Sequence, residues 1–268
     1  MLREVHDALS GRAAAATDPH VTVGDRVVLV ECTHPNHGAL AGVAHRPAGP
    51  TDGVDPDRGV ARLADGALSA PAGSVARAVG LATLNALSAP DVDWLVGDPM
   101  AALSPEVETV ATVGLFRPAF RKFGDVAVRV VERDPEAIDP ASLPAGVPTT
   151  LFSPGEAAAA FDGADVCFVT GSTLVYGGVD DYLAAAAGVP LVILIGATAS
   201  FRPGRAFDRG VDLLAGARVR DAERVRERIV AGDCGTALHD AGLQKVYRPS
   251  NANLPGVQLP TEPTDTEP

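Results

Sequence analysis

From Glu106 onward the chain repeats one pattern. The segments "VETVATVGLF", "DVAVRVVERD", "ADVCFVTGST", "VPLVILIGAT" and "GVDLLAG" are short apolar runs rich in β-branched residues. Between them lie helix-prone stretches such as "SPGEAAAAFDG" and "VDDYLAAAAG". Strands that are apolar without alternation are buried on both faces, and strands separated by helices pair in parallel. Residues 99–249 are therefore expected to form a Rossmann-like parallel sheet. It closes on an amphipathic helix in "DAERVRERIVAGD", whose apolar stripe is Ala222, Val225, Ile229 and Val230.

Residues 1–98 follow a different pattern. Leu2, Val5 and Leu9 have helical spacing. "HVTVGDRVVLVE" and "GALAGVAHR" read as strands around "CTHPNH", a hairpin with a longer loop. "SVARAVGLATLNALS" is apolar nearly all round, so it is predicted as a buried helix with Ser74 as its N-cap. The fold class is thus α/β, with a smaller N-terminal α+β domain ahead of the sheet. Residues 250–268 are Pro-rich and acidic without periodicity, and are expected to form a disordered tail.

Composition excludes several functions. The formal net charge of −12 disfavours a nucleic-acid partner, because an acidic surface repels phosphate. No apolar run approaches a membrane span, and "MLREVHDALSGR" carries charges where a signal peptide needs an apolar core. Cys32, Cys167 and Cys234 are odd in number and widely spaced, which argues for a reducing, cytoplasmic setting without disulfides. Lysine occurs only at Lys122 and Lys245; with the acid excess, this suits a halophilic cytoplasm, and a GC-rich coding bias, which also swaps Lys for Arg, is the alternative.

Ligands of open parallel sheets bind beyond the carboxyl ends of the strands. Three turns fall there. The first, after "VETVATV", has Gly114, but Phe116 and Ala119 occupy the places where a dinucleotide fingerprint needs glycine, so NAD is not expected. Glu132 ends the next strand, either holding a ligand hydroxyl or simply meeting water. The second turn holds Thr170, Gly171, Ser172, Thr173 and Gly177; the third holds Gly196, Thr198 and Ser200, with Arg202 and Arg205 nearby. Small residues let backbone N–H groups approach a ligand, and hydroxyls add donors and acceptors. The alternative is a set of tight strand-to-helix connections.

These motifs carry a resemblance. The second half is similar to the Rossmann-like domain of the heavy-metal chelation family, in which an enolase-N-terminal-like domain precedes it. The family's Thr-Gly-Thr-Thr-Leu-x-Asn-Gly-Thr turn matches Thr170, Gly171, Thr173, Leu174 and Gly177. Its Gly-Pro-Ser-Thr-Pro segment corresponds to "GATAS", and "FDRGVDLLAGARVRD", "GLQKV" and "AVGLATLNAL" match further segments. The resemblance covers nearly everything from Leu2 to Tyr247. Tyr176 stands where the family prefers Asn, Gly178 where it prefers Thr, and Ala197 and Ser200 where it has prolines, so a contact through that Asn amide does not carry over. The resemblance implies a metal or small-molecule ligand, without naming a reaction.

The hairpin offers candidate metal ligands. Cys32 and His34 are two apart in a strand and share a face, and His37 returns across the turn; sulfur with imidazole suits a divalent transition metal. His45 lies too far along the second strand to join them. The same residues also read as an ordinary polar hairpin tip, with Pro35 and Asn36 making the turn. Three functional readings follow: a metal- or anion-binding protein with its ligand between the domains, an enzyme (transferase or lyase) acting on a metal-complexed or anionic metabolite through Glu132 or a histidine, and a non-catalytic homo-oligomeric scaffold.

Overall fold

The computed structural model describes residues 1–116, 120, 123, 126–143 and 145–260. Helix α1 (Leu2–Ala15) leads into a three-stranded antiparallel sheet of β1 (Thr17–Val23), β2 (Val27–His34) and β3 (Gly38–His45), in that order. The β2–β3 register pairs Val27 with His45 at one end and His34 with Gly38 at the other. His34 and His45 therefore sit at opposite ends of the hairpin.

Helices α2 (Val60–Ser69) and α3 (Val75–Ser88) cover this sheet. The Ser74 hydroxyl accepts the Arg77 N–H at 3.2 Å, so the expected cap is present, and α3 is buried from Ala78 to Ser88. Two glycines bring its backbone close to its neighbours on opposite sides. A Cβ on Gly80 would lie 2.1 Å from the Ala67 nitrogen of α2, and one on Gly42 of β3 would lie 2.3 Å from the Ala86 nitrogen of α3.

The second sheet has eight strands among the described residues. They are β4 (Leu95–Val96), β5 (Thr109–Val113), β6 (Ala127–Val131), β7 (Thr149–Phe152), β8 (Val166–Thr170), β9 (Leu191–Ile195), β10 (Leu213–Val219) and β11 (Leu243–Pro249). The spatial order is β4-β11-β10-β9-β8-β5-β6-β7, with the run from β10 to β7 parallel. Numbered from β5, that run reads 3-2-1-4-5-6 in reverse, the doubly wound order whose switch point falls between β5 and β8. The apolar runs thus become the central strands; Cys167 in β8 is fully buried, which pushes its thiol up to about 12.

Two parts differ from the expectation. β11 pairs antiparallel with β10, so the sheet is mixed at one edge. Residues 250–260, read from sequence as the start of a disordered tail, fold back onto the sheet. Leu254 and Val257 are buried, Val257 bridges to Leu103, and the Tyr247 hydroxyl donates to the Pro260 carbonyl at 2.6 Å. Isolated apolar side chains do this without any periodicity, which is why pattern reading misses it. Residues 261–268 lie outside the described residues. No helix among the described residues is long and apolar enough to cross a membrane.

One core runs through both sheets: Val28, Leu40 and Leu84 share a cluster with Val113, Val169 and Leu214. Because backbone, not a flexible side chain, blocks a Cβ at Gly42, Gly42→Ala should force β3 off α3 and cost about 2 kcal/mol or more. Urea unfolding measures this; an unchanged midpoint would show that the close approach is not required.

Candidate functional site

The switch point opens into a cleft of about 510 Å³. Its floor is the exit turns of the parallel strands: Gly114 after β5, Glu132 after β6, Thr170, Ser172, Thr173 and Gly177 after β8, and Gly196 and Thr198 after β9. Phe116 of the first turn also lines it, whereas Ala119 lies outside the described residues. Gly114 (φ +96°) and Gly196 (φ +121°) hold backbone conformations that side chains disfavour. A Cβ on Gly114 would also lie 3.1 Å from Thr170 Cγ2. Gly171 does not line the cleft. It is buried and donates its N–H to the Ile195 carbonyl at 2.6 Å, and a Cβ there would lie 3.0 Å from the Ala199 nitrogen, so its lack of a side chain serves packing against the turn after β9.

The hydroxyls and the carboxylate are held locally. Thr170 Oγ1 and Ser172 Oγ lie 3.2 Å apart, and Thr173 Oγ1 donates to the Thr170 carbonyl at 2.7 Å. Glu132 accepts the Leu115 N–H at 2.8 Å and the Arg133 N–H at 3.2 Å. Its carboxylate thus orders the exit turn of β5. Neither of the two roles read from sequence included this one.

The opposite wall comes from the hairpin's base, through Arg26, Val27, Ala44 and His45. The His45 N–H donates to Thr198 Oγ1 at 2.9 Å, and its Nε2 lies 3.2 Å from the Tyr176 hydroxyl. The Arg133 guanidinium sits 3.7 Å over the Tyr176 ring, a cation–π contact. Burial first, then the charges of Arg133 and Arg26, hold the His45 pKa below its ordinary 6.5, so the ring is neutral near pH 7. Sequence spacing placed His45 away from the other hairpin candidates, which is correct, but gave no reason to place it in the cleft. Arg26, Arg133 and Tyr176 were likewise not read as site residues: Arg26 reaches the cleft only through docking of the hairpin, whereas Arg133 and Tyr176 follow β6 and β8 at the same rim as Glu132 and Thr173.

Asn85 of α3 joins the two walls from behind. Its two amide hydrogens serve three carbonyls, one of them shared: Val43 of β3 at 2.8 Å, Thr198 at 3.0 Å and, more weakly, Ala197 at 3.3 Å. The side chain is 2% exposed.

Cys32, His34 and His37 line no part of this cleft. Cys32 and His34 do share a face, but that face is the inner one, and both are buried. Burial pushes the Cys32 thiol up to about 11, leaving it protonated and a poor ligand at neutral pH. The His34 and His37 rings lie 4.8 Å apart, and His34 Nδ1 accepts the Asn36 N–H at 3.2 Å. Among the described residues, no group of three or more His, Cys, Asp or Glu side chains is arranged to hold a metal ion. The residues as placed do not fit a bare transition metal. Arg202 of the third turn pairs with Asp91 at 3.3 Å and Arg205 with Asp208 at 3.0 Å, and neither lines the cleft.

A family model described as "Putative heavy-metal chelation" (DUF364) matches residues 100–248, more than half of the chain. The chain belongs to this family. Two crystal structures of DUF364 proteins, both titled as of unknown function, share the fold. One, from Pyrococcus horikoshii, is 19% identical with a TM-score of 0.74, covering 91% of this chain and 98% of that one. The other, from Desulfitobacterium hafniense DCB-2, is 17% identical with a TM-score of 0.67, covering 93% and 98%. At such identities the likeness speaks for the fold alone. No curated protein matches the chain.

Two measurements test these contacts. Asn85→Leu removes the donor from three carbonyls and should cost about 3 kcal/mol in urea unfolding; a loss below about 1 kcal/mol would show that the amide does not join the walls. The folded-state pKa of His45 lies below its unfolded value of 6.5, so the unfolded chain takes up the proton first as pH falls. Stability should therefore drop as pH falls through that value and be unaffected by this group above it. His45→Gln should flatten that part of the curve, and an equally steep fall in the variant would exclude His45 as its source.

Proposed function

We propose that this DUF364 protein binds a small anionic metabolite, or the metal chelate of one, in the cleft at the switch point. One observation carries the reading: Arg26 and Arg133, whose charges both act on a neutral His45, line with it a cavity floored by hydroxyls and strand-exit glycines. Guanidinium groups recognise carboxylate and phosphate oxygens through charge-assisted hydrogen bonds. They repel a free cation. The volume, about 510 Å³, lies in the range of metabolite pockets.

The hydroxyls favour the same ligand class. Thr198 Oγ1 already accepts the His45 N–H, so its own hydrogen is free to donate to an anion. The family description, heavy-metal chelation, is compatible with a metal that arrives already wrapped in an anionic chelator, since the chelator's oxygens then supply the contacts. Glu132, held by two backbone N–H groups, would keep the β5 turn in place rather than touch the anion.

Calorimetric titration with inorganic phosphate, citrate and ferric citrate, beside a nickel salt alone, tests this. Arg133→Ala and Arg26→Ala should each weaken anion binding about tenfold, or about 1.4 kcal/mol. Binding of nickel alone that survives both arginine changes and disappears in Cys32→Ser, His34→Ala would overturn the reading in favour of a metal site at the hairpin tip.

A further inference from the structure

The rim of the sheet does not end at the polar cleft. β9 stops at Ile195, opposite Ala215 of β10, while the antiparallel pair of β10 and β11 continues to Val219 and Leu243. The difference leaves a ledge past the end of β9. Beside it lies a second cavity of about 520 Å³ with a mostly apolar wall that includes Met100, Ile195, Leu238, Leu243 and Val246. Its charged members, Asp98 and Lys245, pair with each other at 2.7 Å, so neither is held ready for a charged ligand.

The two cavities share part of their walls. Val27, Phe116, Gly196 and Ala197 line both. Gly196 is the strand-exit residue between them, and it presents no side chain toward either. A molecule whose charged group sits in the cleft with Arg26, Arg133 and the hydroxyls therefore has an apolar space on the other side of this shared wall.

Resting on the reading of the cleft given above, we propose that the ligand is an amphipathic anion: its charged head occupies the polar cleft, and a hydrocarbon portion passes Gly196 into the apolar cavity. Three observations support this beyond the cleft itself. The cavities share a wall in which Gly196 has no side chain and Ala197 only a methyl group, and the second is of similar volume to the first. Polar groups on the second are also partnered within the protein: Asp98 with Lys245, and His239 through Nδ1 with the Leu243 carbonyl. Such a space rewards methylene groups above all.

Calorimetry on the full chain with inorganic phosphate and hexyl phosphate tests this. Burial of the hexyl chain should make hexyl phosphate bind at least ~30-fold more tightly than inorganic phosphate. Thr236 is exposed and lines the apolar cavity but not the polar cleft, so Thr236→Trp should plug the cavity without disturbing the fold. In that variant the advantage of hexyl phosphate should shrink to roughly threefold or less, with inorganic phosphate bound as before. Arg133→Ala should weaken both probes by the same factor. Equal affinity for the two probes, or an advantage that Thr236→Trp leaves whole, would overturn the amphipathic ligand while leaving the anion site standing. If neither probe binds, the reading of the cleft fails, and this inference with it.

Discussion

The Asn85 amide is the interaction on which the site's geometry depends. Three backbone carbonyls, from Val43, Ala197 and Thr198, converge on one side-chain nitrogen in the interior. Two of them belong to the turn that floors the cleft, and the third to the strand that ends in His45. Fixing these carbonyls fixes the distance between the walls, and the bond from the His45 N–H to Thr198 Oγ1 repeats the connection at the surface of the cleft. The amide's own Oδ1 is buried with no partner among the described residues, so what the side chain contributes comes from its N–H bonds.

The cleft's charge runs against that of the chain. A protein with a formal net charge of −12 places two arginines at its switch point, one stacked on Tyr176. Burial first, and then these two cations, hold His45 below its ordinary pKa, so the imidazole faces the cavity as a neutral group. Local arrangement, not overall composition, therefore sets what the cleft can hold. The acidic exterior bears on solubility and on which macromolecules approach.

The strand-exit residues were legible because they follow from topology. Once the apolar runs are read as parallel strands, Gly114, Glu132, Thr170 and Gly196 must fall at one rim. The residues of the facing wall were not legible, since Arg26 and His45 reach the cleft only through docking of the hairpin on the larger sheet. The cysteine and histidines at the hairpin tip stood out for their density alone. Strand alternation put Cys32 and His34 on one face, as expected, but could not say that this face was the inner one. Residues 250–260 show a further gap: Leu254 and Val257 pack singly, and single contacts leave no period to detect.

The shared interior has a consequence for how the two lobes can move. Where each lobe has its own core, a hinge between them can swing open like a clamshell. Here Val28 and Leu84 pack in the same cluster as Val169 and Leu214, so swinging the lobes apart would expose that cluster to water. The two walls of the cleft are therefore held at a set spacing by the interior they share, and widening it carries the cost of wetting those side chains.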